Sequence, residues 1–181
     1  MARVPYVSRE ELPPAAQNAW DEFAKPRKGR VENNPRVILH SPEAAGNIFR
    51  LATYLRFQSE IPPKAFSLAT ITTAAEHNSE YVLAWHLPSA AEKGVSQAAI
   101  DAVRDKKSLD GVPPDEALVV RYTRGVVQGK VDEETFQAAL STFGTRTLMD
   151  LTLAIGQYTL LHYVGSAFGV ERDAGWKPLL C

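Results

Sequence analysis

The stretch EHNSEYVLAWH, which ends at His86, places carboxylates, hydroxyls and imidazoles close together in an otherwise apolar region. Histidine titrates near neutrality and can donate or accept a proton. On a single helix at about 100° per residue, Ser79 and Val82 lie within roughly 40° of His86. Glu76 lies roughly 80° away, at the border of that face, and His77 points to the opposite side as a surface histidine would. The spacing makes His86 a candidate general acid or base.

Glu76 and Glu80 are the carboxylates that could act with His86, because a nearby negative charge keeps an imidazole protonated until the proton is needed. The alternative is that both carboxylates are solvated charges at a helix border. His86 itself could equally be a core histidine satisfied by one hydrogen bond. The spacing alone leaves both interpretations open.

A second group of polar residues occurs near the end of the chain, in AIGQYTLLHY. Tyr158 and His162 are four residues apart and share a helix face, and Gln157 precedes them. If these side chains lie near His86, they form a polar patch able to orient a small carbonyl compound. As an alternative, Tyr158 and His162 line a pocket or a subunit contact without taking part in chemistry.

Other site chemistries fit the sequence less well. Ser79 has no histidine partner four residues away and no glycine-flanked elbow, which disfavours a serine nucleophile. The four histidines lack the HExxH spacing that would gather metal ligands at one point, so no metal is expected. The only cysteine, Cys181, is the last residue, which excludes an internal disulfide and a CxxC redox pair.

Apolar residues recur at spacings of three and four, which predicts helices, and no convincing series of strand patterns appears. A first helix is expected to start at Ser8 as its cap and to include Trp20 and Phe23. The basic, proline-interrupted stretch KPRKGRVENNPR then predicts a loop, followed by a short apolar element from Val37 to His40.

The remaining sequence predicts an unbroken series of helices. One opens at Ser41 and Pro42, the usual order of a cap and a first turn. A long central helix starts at Pro62 and runs through His86, with Pro88 expected to kink or divide it and Gly94 to end it. Further helices are expected in SQAAIDAVRDKK, capped by Ser96, in PPDEALVVRYTRGVVQG, in DEETFQAALSTFG and in TRTLMDLTLAIGQYTLLHYVGSAFGV.

Composition and charge exclude several classes of protein. The 181 residues are 45% apolar and 23% charged, which suits one globular all-α domain with an extension. We expect a helical arm and loop over residues 1–36 and a helical domain over residues 37–181. The net charge of -1 gives no electrostatic case for nucleic acid or an anionic membrane as partner. No signal segment or stretch of ~20 apolar residues appears, so we expect a cytoplasmic protein that binds a small molecule.

Three stretches together resemble the carboxymuconolactone decarboxylase family, whose fold is shared with the alkylhydroperoxidase D-like proteins. They are HSPEAAGNIFRLATYLRF, IPPKAFSLATITTAAEHNSEYVLAWHLPSAAEKGVSQAAIDAV and ALVVRYTRGVVQGKVDEETFQAALSTFGTRTLMDLTLAIGQYTLLHYVGSAFGV, and they span most of residues 40–170. The resemblance implies an alkylhydroperoxidase D-like helical bundle that is oligomeric.

In the redox-active relatives, a glutamate, a CxxC pair and a histidine form a proton relay that activates a thiolate. The histidine matches His86, whereas Ser79 and Val82 stand at the two cysteine positions and Ser67 stands at the glutamate position. Serine and valine cannot supply a thiolate. The resemblance therefore disfavours a peroxiredoxin-type antioxidant protein, which remains the alternative function together with a non-catalytic small-molecule-binding member of the family.

The decarboxylase branch needs no cysteine, and the resemblance implies a lyase of aromatic degradation acting on a small carboxylated or lactone-type metabolite. A general acid must protonate the carbon that loses carbon dioxide, and His86 is the candidate. Tyr81 and Trp85, on the same helix, are candidate substrate-binding residues. Decarboxylation, isomerisation, dehydration and hydrolysis all remain possible, and none of them requires an organic cofactor or a metal.

An anionic substrate needs a cation near its carboxylate, and Arg50, Arg56 and Arg121 are the candidates that the sequence offers. The last helix is apolar nearly all round from Leu148 to Phe168, which predicts burial against another chain. The family resemblance implies a homo-oligomer, as a dimer, trimer or hexamer.

Overall fold

The structure is a computed structural model that describes residues 2–173, and these residues form helices and connecting turns without any strand. The all-α prediction is confirmed. The α-helices in the described range are α1 (Pro14–Ala24), α2 (Asn33–Ile38), α3 (Pro42–Phe57), α4 (Pro63–Glu76), α5 (Glu80–His86), α6 (Gln97–Arg104), α7 (Pro114–Val127) and α8 (Glu133–Phe168). None of these described helices combines the length and the apolar character needed to cross a bilayer.

The described residues divide into two compact units. The first unit comprises residues 2–58 and 163–173, and the second comprises residues 59–162. The division expected from the sequence, between residues 36 and 37, stays a prediction.

In the first unit, α1 packs against α3, and the rings of Phe23 and Phe49 lie 4.3 Å apart between centroids. The predicted start of α1 at Ser8 is wrong. Ser8 instead caps a single 3-10 turn, in which the Glu11 carboxylate accepts a hydrogen bond from the Ser8 amide. Leu12 then takes an extended conformation because a residue before proline disfavours the helical region, and α1 begins afresh at Pro14.

The other predicted element boundaries of the first unit agree more closely with the structure. The helix predicted to open at Ser41 and Pro42 is confirmed as α3. The short apolar element lies within and just after α2, which begins four residues earlier than predicted, at Asn33.

The second unit is organised around α4, in which every residue from Ala65 to Ala75 is buried. A helix that is apolar on all sides has no solvent face and must be surrounded. Helices α5, α6 and α7 pack against it. The hydroxyls of Thr70 and Thr73 donate to carbonyls one turn earlier, so these polar groups are satisfied inside the helix.

The single central helix expected through His86 is wrong, because α4 ends at Glu76 and α5 begins at Glu80. Asn78 takes a left-handed conformation with φ of 54°, which asparagine tolerates better than most residues. The Ser79 amide then donates to the Ala74 carbonyl at 2.7 Å and closes the turn. The predicted division near Pro88 is confirmed, since α5 ends at His86.

The last predicted pair of helices is also confirmed, because α8 is interrupted at Gly144, where φ is 72° and ψ is 165°. A side chain other than glycine is strained in that conformation. After the break, the Tyr122 hydroxyl of α7 lies 2.7 Å from the Thr152 hydroxyl of α8.

A buried carboxylate links α6 to α7. Ser96 caps α6 as predicted, with its hydroxyl accepting from the Ala99 amide. Glu116 of α7 is 2% exposed, and its carboxylate accepts hydrogen bonds from the Ser96 amide and hydroxyl. The same carboxylate forms an ion pair with Lys64, at 2.8 Å. Removing a carboxylate from such a network leaves several donors unpaired.

We expect Glu116→Ala to lower the free energy of unfolding by about 3 kcal/mol, since removal of the buried carboxylate breaks its ion pair and leaves the Ser96 donors unpaired. Chemical denaturation followed by circular dichroism measures the change. The matched control is Asp115→Ala, which removes a 64% exposed carboxylate paired with the same lysine and should cost less than about 1 kcal/mol. If both substitutions lowered the free energy of unfolding equally, the burial of Glu116 would not be what makes its carboxylate important.

Candidate active site

His86, the last residue of α5, is buried in the second unit with 8% of its surface exposed. Its ring meets the Tyr158 ring edge to face, with centroids 5.0 Å apart and planes at 89°. Phe66 of α4 contacts the same tyrosine ring, with centroids 6.0 Å apart. Tyr158 therefore joins α8 to both α4 and α5, and of the second polar group it is Tyr158 whose ring contacts His86.

Gln157 precedes Tyr158 and is 6% exposed, and its side-chain Nε2 is buried without a hydrogen-bond partner among the described residues. The Ser67 hydroxyl of α4, at the position that matches the relay glutamate, is likewise buried without a partner. An unmade hydrogen bond of this kind costs about 1–3 kcal/mol, so a bound molecule that paired with these groups would be stabilised by a comparable amount. The amide of Gln157 can donate to a carbonyl or carboxylate oxygen.

The candidate residues on α5 divide into a buried and a half-buried set. Val82 is buried and lies four residues before His86, as the helical spacing predicts. Ser79 is buried as the cap of α5, although its hydroxyl makes no capping bond. Tyr81 and Trp85 are half-buried. The buried set, with His86, is the part of α5 that faces the interior of the second unit.

The two candidate carboxylates occupy different surroundings. Glu76, at the end of α4, forms an ion pair with Arg124 of α7, at 3.0 Å between Oε1 and Nε. Glu80 is exposed in the first turn of α5. The break at Asn78 separates Glu76 from the helix of His86, so the angle calculated along one helix does not apply. Partnership of either carboxylate with His86 stays a prediction.

His77 was expected to be a surface histidine, and this expectation is wrong. It is half-buried, its ring stacks on His162 with centroids 4.8 Å apart and planes at 12°, and its Nε2 lies 3.1 Å from the Thr159 hydroxyl. The turn at Asn78 follows His77 and redirects the chain after it, so the angle between His77 and His86 calculated along one helix does not apply. The run Glu-His-Asn-Ser contains turn-forming residues and is the signal that could have revealed the break.

The stacked histidines both favour the neutral form. Burial lowers the pKa of His77 below 6.5, and the charge of Glu76 offsets part of that effect. Burial also lowers the pKa of His162, and repulsion from His77 lowers it further. His162, a predicted substrate-binding residue, is thus paired with His77, which the sequence had not suggested.

No group of three or more His, Cys, Asp or Glu side chains suited to a metal ion occurs in the described part of the chain. Of the candidate arginines, Arg121 lines a small concavity of about 340 Å³ in the second unit, which it shares with Asp132 and Glu134. Arg50 and Arg56 belong to α3 in the first unit. The cation for an anionic substrate stays unassigned.

Three solved structures share this fold at low sequence identity. An uncharacterized peroxidase-related protein from Silicibacter sp. TM1040 has a TM-score of 0.75 and 14% identity over 97% of this chain and 93% of its own. An alkylhydroperoxidase AhpD core protein from Ralstonia eutropha JMP134 has a TM-score of 0.75 and 17% identity over 96% and 93%. A cysteine-to-alanine variant of the debrominase Bmp8, in complex with 2,3,4-tribromopyrrole, has a TM-score of 0.75 and 13% identity over 94% and 91%.

These likenesses define an alkylhydroperoxidase D-like helical protein by fold alone. The sequence profile of the Carboxymuconolactone decarboxylase family matches residues 42–124, which include His86 and most of α3 to α7. Residues 42–124 therefore match the carboxymuconolactone decarboxylase family, to which the resemblance pointed. No curated protein matches the sequence.

The depressed pKa values of His77 and His162 make the stability of the protein depend on pH. The unfolded chain, with histidine pKa values near 6.5, binds protons first as the pH falls. We therefore expect the free energy of unfolding to fall as the pH drops below about 6.5, measured by urea denaturation at pH 7.5, 6.5 and 5.5. The double variant His77→Gln/His162→Gln should show a smaller loss over this range. If the pH dependence were unchanged in that variant, His77 and His162 would not be its source.

Proposed function

We propose that the protein is a carboxymuconolactone decarboxylase-like enzyme that acts on a small carboxylated or lactone-type metabolite through acid and base chemistry at His86. The observation that carries this proposal is the buried contact of His86 with Tyr158. It is supported by the buried side-chain amide of Gln157, the residue before Tyr158, which has no hydrogen-bond partner among the described residues. The Bmp8 variant binds 2,3,4-tribromopyrrole, a small ring, which supports a site of similar scale on this fold.

The chemistry follows from what each side chain can hold or transfer. The amide of Gln157 donates to a carbonyl or carboxylate oxygen of the substrate and orients it. When the carboxylate leaves as carbon dioxide, the electron pair of the broken bond stays on carbon. His86, as imidazolium, donates its proton to that carbon, and its burial keeps competing water away. The Tyr158 ring fixes the orientation of the imidazole.

The alternative, a peroxiredoxin-type antioxidant, is favoured by the names of two structural neighbours that are called peroxidase-related. Its chemistry needs a thiolate with a positioned base. Ser79 and Val82 stand where the cysteines would be, and Cys181 lies outside the described residues. We therefore favour the enzyme without thiol chemistry. We further propose that it works in the cytoplasm and requires no cofactor.

The test is a proton NMR time course with 4-carboxymuconolactone, related lactones and β-keto acids. We expect turnover by the wild-type protein and at least a ~100-fold lower rate in His86→Ala, the size of effect expected for a lost general acid or base.

His40→Ala is the matched control, because it removes an exposed histidine whose hydrogen bond is to the Pro5 carbonyl in the first unit. This variant should keep the wild-type rate. Turnover that survives His86→Ala would overturn the assignment of His86. Thiol-dependent peroxide turnover by the wild-type protein would favour the antioxidant alternative.

We also infer that the protein is a homo-oligomer that uses the second half of α8. Met149 is 57% exposed and Leu153 is 42% exposed, and Gly156 follows three residues later on the same face. Among the described residues, no atom of another element lies within 4 Å of a Cβ built at Gly156, so a neighbouring helix can approach closely there. A second copy of the chain, which carries the same apolar face, is the occupant we propose.

We expect Leu153→Glu to shift the protein toward the monomer in size-exclusion chromatography with light scattering, because a buried charge without a partner disfavours association. Phe136→Glu is the control, since Phe136 is exposed on the part of α8 before Gly144. A wild-type protein that is monomeric at micromolar concentration would contradict the inference.

A further inference from the structure

The first unit contains an open cleft of about 760 Å³ between α1 and α3. We call it the α1–α3 cleft. Its floor includes the buried rings of Phe23 and Phe49, and its wall includes Tyr54 and Phe57, the latter 47% exposed. The volume falls within the range of sites that hold drug-sized ligands, and such sites are lined mainly by apolar and aromatic side chains. The cleft lies outside the residues proposed for catalysis.

A glycine in the interior of α3 keeps this cleft open. Gly46 lines the cleft, and a Cβ built on it would meet only Arg50 at 3.7 Å and Ala19 at 3.9 Å. These are ordinary contacts, so packing does not require a glycine at this position. Glycine inside a helix costs about 1 kcal/mol relative to alanine. Neither the backbone nor the packing explains that cost, whereas a ligand that occupies the cleft would.

The charges around the cleft favour an anion. Lys25 and Arg50 line it together with one acidic residue of the described lining, Glu22. The Lys25 ammonium makes no hydrogen bond or ion pair within the described residues, and the Arg50 guanidinium donates a hydrogen bond to the neutral side-chain amide of Asn47. The adjoining segment KPRKGR, residues 25–30, carries four basic residues and no acidic one. This local charge contrasts with the net charge of -1 for the chain.

Cationic groups also surround the exposed ring of the cleft. The Arg27 guanidinium lies 3.7 Å from the centroid of Phe23 and 5.2 Å from that of Phe57, and Arg56 lies 5.5 Å from the Phe57 centroid. Arg27 also donates to the Phe23 carbonyl and the Thr53 hydroxyl, which fixes its position. A ligand beside such aromatic rings and guanidinium groups can stack on the rings and interact with the positive charge.

From these observations we propose that the α1–α3 cleft is a second binding site, which takes a flat aromatic carboxylate. The rings of the ligand pack against Phe49 and Phe57 in the space left by Gly46, and its carboxylate pairs with Arg50 and Lys25. The family profile begins at residue 42, so α1 contributes a wall that lies outside the matched region.

The probe is 2-naphthoate, and its neutral counterpart 2-naphthalenemethanol has the same rings without the charge. We expect 2-naphthoate to bind the full chain with a dissociation constant on the order of 0.1–1 mM, measured by saturation-transfer NMR, and to bind at least ~10-fold more tightly than the alcohol. Arg50→Gln should reduce that preference to about 3-fold or less, because it removes one of the two cations and keeps a polar side chain.

Gly46→Leu and Gly46→Ala form a matched pair. Leucine fills the cleft and should abolish binding of 2-naphthoate, whereas alanine adds one methyl group and should leave it within about 3-fold of wild type. Both substitutions favour the helix, so neither should lower the thermal midpoint, which separates loss of binding from loss of fold.

Three results would overturn the proposal. The first is equal affinity for the acid and the alcohol, and the second is binding of 2-naphthoate that survives Gly46→Leu. The third is no binding to the wild-type protein, which is the result expected if a second copy of the chain or a partner helix covers the cleft. His86→Ala should leave binding unchanged, so failure at this site is distinguishable from failure of the proposed activity.

Discussion

The complete burial of α4 is the constraint on which the second unit depends. All residues from Ala65 to Ala75 are buried, so the unit must supply neighbours on every side of one helix. Small apolar side chains and threonines suit this position because they allow close approach, and the hydroxyls of Thr70 and Thr73 find acceptors within the helix itself. Since α5 packs on α4 and Phe66 of α4 contacts Tyr158 of α8, a change in the position of α4 would move both His86 and Tyr158.

The end of α4 separates the surroundings of His77 from those of His86. The left-handed residue Asn78 stops α4 and lets α5 leave in a new direction. His77, before the turn, stacks on His162, and His86, after it, meets Tyr158. One short sequence therefore produces two kinds of imidazole, a half-buried pair that favours the neutral form and a buried single ring. The two imidazoles therefore have different neighbours, although they are only nine residues apart in sequence.

The helices and several of their boundaries were predictable, because local signals set them. Pro42 opens α3, Ser96 caps α6 and Gly144 interrupts α8, each through its own backbone preference. The start of α1 and the break at Asn78 were not predicted, since periodicity continues across both points and only the turn chemistry marks them. For the site, the four-residue spacing of Val82 and His86 was enough to predict that the two side chains share one face of a helix. The stacking of His77 on His162 depends on contacts between residues far apart in sequence, which no local pattern encodes.

The candidate site combines retained and missing parts of a known relay, and this combination limits its chemistry. His86 keeps a buried position, whereas Ser79, Val82 and Ser67 replace the groups that a thiolate mechanism needs. A histidine alone can still move a proton between a substrate and itself, because that step needs neither a thiolate nor a second redox partner. The Ser67 hydroxyl is buried without a hydrogen-bond partner among the described residues, at the position that the family resemblance matches to a glutamate. A serine at this position adds no negative charge, which agrees with the anionic substrate that we propose.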